Sequence, residues 1–499
     1  MIDFLMKPGR GFFLAILLLT AQFMPIFYSD YAFLDEAHQL WHNRDGSNYG
    51  MFIVQGRWLT GLLMNYLFST ISSISEFKIV RAFSFFSWML FLEEFFRLGR
   101  KWQEKIGFNK ALLPIAGLYI ACCPSVAIYI GWGACFEVGI ASLLALWSGH
   151  LFFTKLMQND EKGSLFQPVL LLAILSGLGS LFLYQTAFAA FLLPFILYLL
   201  EKKSNLSSRV MKGGIASYLF IAVLYYILFL FYFHHSSLVP SQRTDVTLDI
   251  PGKLGFFFSA PLSQAFSFNL LYNLHSIPSQ VFPILMMVLW IVLLILPDKR
   301  ISERKLVFIL IFIGILMLIY APLLVSKENF SSYRTMFMLN LAVTIGMVHG
   351  MLAFFSAFFP SPKRNLFLLF FFCSFAAVGF WNFRINFIQP LRKEYSLLRQ
   401  YFNAHYNPAI SAIYILRPPE DLFYDKFSIR AYKDEFGIPS TFKDWTPEPL
   451  FKQFILETTN EREKSEKTNI IEYTNKDSFA LEEKNKKTKS LYIDIPSLF

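Results

Sequence analysis

Between residues 10 and 384 the chain returns repeatedly to apolar stretches close to the roughly 20 residues that cross a bilayer as a helix. The first, GFFLAILLLTAQFMPIF, occupies residues 11–27. Eleven such stretches can be drawn, at 10–28, 77–96, 111–130, 136–154, 166–183, 185–200, 214–233, 280–297, 306–325, 335–358 and 366–384. Pro and Gly inside some of them are no obstacle, because neighbouring helices re-satisfy the freed backbone groups. No soluble globule accommodates this pattern: 59 of the 499 residues are Phe, and 16% are charged, against about 25% in soluble domains. The expected fold class is therefore an α-helical polytopic membrane protein of about 11 transmembrane helices. Lys7 and Arg10 precede the first stretch as they would in a signal peptide. The long run, the lack of a small-x-small cleavage site and the further spans favour a retained first helix.

The net charge of +10 does not point to nucleic acid. Residues 385–499 balance 17 Lys and Arg against 17 Asp and Glu, and residues 1–384 carry 28 against 18. That excess sits in short loops, with no basic stripe interleaved by aromatics. Sorted into alternate loops, one set holds 19 cations and the other six: Arg44, Arg57, Arg243, Lys253, Lys327 and Arg334. By the positive-inside rule the N-terminus is cytoplasmic, and the sparse loops and the tail lie on the opposite face. Cys122, Cys123, Cys135 and Cys373 lie in or beside apolar stretches and read as packing residues, with neither zinc spacing nor a disulfide framework.

Two domains are expected: a membrane domain over 1–384 and a soluble one over 385–499. Two non-cytoplasmic loops, 29–76 and 235–279, are longer than connectors need to be. Each contains an apolar but interrupted segment, GRWLTGLLMNYLFSTI and GFFFSAPLSQAFSFNLLYN, expected to lie as helices in the membrane interface. The tail reads as a small α/β appendage, with strands at AISAIYIL and SLYIDI. The charge run 460–489 within it reads as a flexible loop.

Against this background YSDYAFLDEAHQLW, residues 28–41, stands out. Asp35 and Glu36 are adjacent carboxylates just where the chain leaves its first span. They could form a solvated loop that meets the dipole of a following helix. They could instead be catalytic, one taking a proton from an attacking hydroxyl while the other positions the acceptor or holds a divalent ion. Arg57, in QGRWLTGLL, and Arg334, in SSYRTMF, are candidates for bidentate phosphate binding, or for headgroup anchoring. Arg243 and Lys253 are weaker candidates for the same role. His38 and Trp41 in the first loop, Tyr184 and Gln185 in FLYQTAF, and Tyr333 beside Arg334 are candidate substrate contacts. Glu137, in GWGACFEVG, is an acid at a span mouth. His38 and His42 share a helical face, but no companion ligands argue for a metal.

Taken in order, LDEAHQLW, NYGMFIVQGRWLTGLL, LYQTAF, SSYRTMF, DEFG and LYIDIP resemble the GT-C superfamily of membrane glycosyltransferases. They are most similar to the bacterial serotype-converting O-antigen glucosyltransferases. The resemblance covers most of the chain. It implies a hexose, glucose by analogy, carried on polyprenyl phosphate and moved onto a cell-surface glycan such as lipopolysaccharide O-antigen. The face would be the periplasmic one of a bacterial inner membrane, with no nucleotide sugar and no required cofactor or metal. It implies Asp35 as base with Glu36 beside it, and Arg57 and Arg334 on the donor phosphate. A donor-synthesising glycosyltransferase and a flippase would be partner proteins. The chain departs from the family pattern at Glu36, where a second Asp is usual, and at His38, where a basic residue is usual.

Two rivals stand beside this reading. A polysaccharide polymerase or ligase would share the many spans and outer arginines but lack the early acidic pair. A flippase or transporter would line its path with charges inside its spans, whereas the carboxylates here cluster at one face, with Glu93 and Glu94 near a cytoplasmic end as exceptions.

Overall fold

The computed structural model describes residues 10–43, 47–158, 168–202, 209–236, 238–273, 276–295, 303–358, 361–432, 435–485 and 488–499. The fold is predominantly helical, as the apolar stretches require. Among the described residues, five helices are long and apolar enough to cross a membrane: Arg10–Phe27, Gly133–Met157, Arg209–His235, Tyr333–Phe358 and Leu366–His405. A sixth candidate is Leu112–Cys122 with Pro124–Gly131, bent by 45°. The bend has a local cause: Pro124 pushes the preceding Cys123 out of the helical region, to φ −70° and ψ 150°.

The remaining expected spans meet shorter or more polar helices. Pro168–Leu183, Gln185–Glu201, Ile277–Leu293 and Val307–Ile319 are apolar but brief. At 1.5 Å per residue they fall short of a hydrocarbon core about 30 Å thick. Residues 77–96 belong to a helix of 30 residues, Phe77–Ile106, that carries Lys78, Arg81, Glu93 and Glu94. It stops at Gly107, whose φ of 90° suits a residue without a Cβ.

The two long loops behave differently from each other. Helix Trp58–Ser69 buries Met64, Leu67 and Phe68 and leaves Leu59, Leu62 and Tyr66 exposed along the other face. The 235–279 segment does not lie wholly on the surface. Helix Ile250–Ser259 is partly exposed, but Leu262, Ala265, Phe266, Phe268 and Tyr272 are buried in the bundle. The polar residues that suggested an interfacial position are anchors instead. Asn269 donates to the Phe375 carbonyl at 2.8 Å, and Asn382 donates to the Asn269 carbonyl at 2.6 Å. Irregular backbone is tolerated inside a bundle when protein groups satisfy it in this way.

The last long helix does not stop at the domain boundary. Ser361–Phe383 passes through a π-turn, Arg384–Ile388, into Gln389–His405. Beyond it lie three parallel strands, β1 (Ala412–Leu416), β2 (Asn469–Tyr473) and β3 (Ser490–Asp494), in the order β2-β1-β3. Both expected strands form. The charge run 460–489 is not a flexible loop: among its described residues it supplies helix Arg462–Lys467, strand β2 and helix Lys476–Lys484. Parallel strands of one sheet need crossover connections, and this run provides the one that takes the chain from β2, past β1, to β3.

The first loop and the tail share a core. Ala37, Leu40, Leu67 and Phe68 pack in one cluster with Phe402, Phe451 and Phe454. Polar bonds fix the seam: Gln453 donates to the Ser72 carbonyl at 2.8 Å, and the Ile74 amide donates to Glu457 at 2.9 Å. The tail is thus a wall of whatever the first loop builds.

Candidate functional site

Asp35 and Glu36 open helix Asp35–Asn43. Adjacent helical residues point about 100° apart, so one carboxylate can turn inward while the other faces out. Leu34, just before them, takes a φ of 44°, a left-handed conformation that is costly for a side chain of its size. Its amide donates to Ser440 Oγ of the tail at 2.8 Å, which helps hold the turn.

Glu36 is the inward carboxylate and is fully buried. It accepts from Arg81 Nη2 at 2.5 Å and Nε at 3.2 Å, from the Phe33 amide at 2.7 Å and from the Gly133 amide at 2.5 Å. The Arg81 guanidinium, equally buried, also donates to the Tyr31 carbonyl and lies 3.5 Å from the centre of the Tyr31 ring. Burial pushes the Glu36 carboxyl above its ordinary range, against the pull of Arg81 and the two amides. So engaged, Glu36 ties the first loop to helix Phe77–Ile106 and to the turn at Gly133. Asp35 is the outward carboxylate, half-buried, and its Oδ1 accepts from the Trp445 indole at 2.7 Å.

The arginines at 57 and 334 come together. Gly56, at φ 74°, makes the turn that delivers Arg57, and its would-be Cβ position is taken up by Tyr225 and Phe229. The turn is clamped by Gln185, whose Nε2 donates to the Gln55 carbonyl and to Tyr225 Oη, both at 2.9 Å. Arg57 pairs with Glu137 and lies 4.6 Å over the Tyr184 ring. Arg334, in the first turn of helix Tyr333–Phe358, faces Glu435 of the tail at 3.6 Å and lies 4.9 Å over the Trp132 ring. Glu435 also accepts from the Tyr333 amide at 3.2 Å. Both guanidinium groups act electrostatically on Glu137, Cys135 and Tyr184, and Asp35 is among the charges acting on Arg334. The arginine side chains are 15% and 24% exposed, their carboxylate partners 0%. An incoming ligand therefore meets the cations first, with the carboxylates behind them holding their orientation.

The other candidates divide. Tyr184 belongs to this cluster, and its hydroxyl reaches the Arg334 carbonyl at 3.3 Å. Gln185 supports it through the Arg57 turn. Tyr333 is buried, its hydroxyl accepting from the Tyr272 amide. Arg243 and Lys253 are not part of it. Arg243 is exposed and pairs with Glu328 at 3.8 Å. Lys253 Nζ is spent on Asn329 at 2.8 Å and on the carbonyls of Glu328 and Lys327. Trp41 is buried beneath the tail, under Arg462 at 5.0 Å. His38 and His42 share a face as their spacing suggests, rings 4.3 Å apart. Arg44 lies outside the described residues. Among those described, no three of His, Cys, Asp and Glu gather as a metal shell would.

Sequence reasoning passes over three participants. Arg81 lies inside an apolar stretch and so escapes a count of loop charges, although a lone arginine in a span is itself a signal. It also corrects the view that Glu93 and Glu94 are the exceptional charges within the spans. Glu435 stands in the DEFG landmark, but no spacing assigns it to Arg334, and none connects Trp445 to the first loop.

Compared with known proteins, the chain matches no family model, and no curated protein matches it.

Proposed function

We propose that the protein is a membrane glycosyltransferase of GT-C type, acting at the end of the bundle where the first loop meets the tail. The donor is a hexose, glucose by analogy, on a polyprenyl phosphate, and the acceptor is a cell-surface glycan such as an O-antigen. Asp35 takes the proton from the acceptor hydroxyl as that oxygen attacks the sugar carbon. The bond to the lipid phosphate breaks, and the phosphate leaves toward Arg57 and Arg334. Fixed cations aimed at developing charge are an effective form of stabilisation because they need no reorganisation. Glu36 is a positioning residue in this scheme, since its oxygens are committed to Arg81 and two amides. Tyr184 and Trp132 supply aromatic faces beside the arginines.

The observation that carries the proposal is the convergence of Arg57 and Arg334, each backed by a fully buried carboxylate and an aromatic ring. In the oriented reading, the N-terminus is cytoplasmic, the site and C-terminus are periplasmic, and the bent pair, helix Phe77–Ile106 and the four shorter apolar helices complete the set of eleven spans. The experiment is the mass of the surface glycan from a deletion strain. Loss of one hexose per repeat supports transfer; loss of chain length supports a polymerase or ligase, and an unchanged glycan contradicts both.

A further inference from the structure

A second cationic cleft, of about 510 Å³, opens where helices Arg10–Phe27 and Leu366–His405 come to the end of their apolar segments. It is lined by Ser29, Arg384, Arg392 and Lys393, with Tyr28 and Phe427 at its sides. Among the described residues no carboxylate lines it. Asp30, next in the chain, is exposed, and Glu394, beside Lys393, is turned inward onto Ser440 and Thr441. Among the described residues none of the three cations has a carboxylate partner.

Two buried polar atoms here have no hydrogen-bond partner among the described residues. Ser29 is 4% exposed, and its Oγ has none. Arg384 spends Nη2 on the Ala21 carbonyl at 3.0 Å and stacks over Phe380, yet its Nε is buried without a partner. Buried polar groups are nearly always satisfied, and an exception calls for a cause. Arg384 also begins the π-turn, a distortion that often marks a functional position in a helix.

The surroundings indicate what would satisfy them. Tyr28 at the side of the cleft, Met24 beside its lining residue Pro25, and Phe380 under Arg384 are exposed, a rim of the kind that sits at headgroup level. An anion bound there would have its apolar part running down between two lipid-facing helices. Phe387 packs on Phe33, and Phe33 packs on Trp132, the ring under Arg334. That aromatic wall separates the cleft from the arginine pair.

We infer that this cleft is a binding site for the phosphate headgroup of a lipid, separate from the Arg57–Arg334 site. It rests on the membrane-spanning character of the two helices and not on sugar transfer. The test uses the full-length protein in a neutral detergent and a photoactivatable farnesyl monophosphate, with the labelled peptides mapped by mass. Labelling is expected on residues 24–29 or 384–396, falling about tenfold or more in Arg392→Gln/Lys393→Gln, whose side chains are exposed. Arg384→Gln and Ser29→Ala should each weaken it further. Competition by unlabelled farnesyl monophosphate or by phosphatidylglycerol supports the site and identifies which lipid fills it. Equal competition by phosphatidylcholine, or by inorganic phosphate at the same concentration, overturns it. So does unchanged labelling in the double variant, or labelling confined to residues 52–57 and 332–335.

Discussion

The Asp35 carboxylate accepts a hydrogen bond from the Trp445 indole at 2.7 Å, a contact that bridges 410 positions of sequence. It joins the acidic pair of the first loop to the soluble tail, so the tail helps to aim the group assigned as base. Trp445→Phe keeps the ring and removes the donor. It should lower kcat by about tenfold with little change in donor KM, since one neutral donor to a charged group is worth roughly 1.5–3 kcal/mol. Steady-state kinetics on both substrates check this, and an unchanged kcat would remove Trp445 from the account.

Arg81 and Glu36 form a buried ion pair, and breaking such a pair costs roughly 3–5 kcal/mol because it strands a charge. Arg81→Met should therefore lower the Tm in detergent by several degrees or prevent accumulation. The double variant Arg81→Met/Glu36→Leu should recover part of that loss, having no charge left to strand. A double variant no more stable than the single one would mean that the pair is not coupled.

Arg57 and Arg334 are assigned to the donor phosphate. Arg57→Ala and Arg334→Ala should each weaken donor binding about tenfold or more, by loss of a charge-assisted hydrogen bond. Acceptor KM should hold. Direct binding of a lipid-linked sugar separates this from headgroup anchoring, which predicts unchanged donor affinity. Gly56→Ala should imitate the Arg57 loss, because a Cβ at that left-handed position meets Tyr225 and Phe229.

In the tail, burial raises the Glu472 carboxyl from 4.5 to about 7, against the opposing pull of Arg417, with Glu448 and Asp444 adding to the rise. The folded state then binds more protons than the unfolded state between those values. The contribution of this group to stability is greatest below pH 4.5 and is lost as pH rises to about 7. Glu472→Gln should flatten that part of the Tm-against-pH curve. A curve that keeps its slope in the variant would assign it to another group.

Much of the membrane character was legible in the apolar stretches, because a bilayer imposes length and composition directly. The five long helices fall where five stretches predict them, and the bend at Pro124 is also local. Strand β2 was hidden because its apolar residues, Ile470 and Ile471, stand among charges. The buried 261–273 segment was misread because its polar residues suggest water, whereas they bond to protein.

At the site the difficulty was one of direction. Asp35 and Glu36 read as equals in sequence, and helical geometry separates them by about 100° without saying which faces inward. That choice is made by Arg81, and the setting of Asp35 by Trp445. Arg57 and Arg334 were legible as scarce cations in the cation-poor set of loops. Arg243 and Lys253 passed the same filter and lie elsewhere, because scarcity says nothing of where a long loop folds back.

The central claim is that Asp35 carries the chemistry while Glu36 carries the structure. The direct measurement is sugar transfer by purified Asp35→Asn with a lipid-linked donor, at matched abundance and Tm. The account predicts a rate reduced by at least about 100-fold, the lower end of what a positioned base contributes, with donor affinity intact. A variant that folds, binds donor and transfers sugar at the wild-type rate would contradict it.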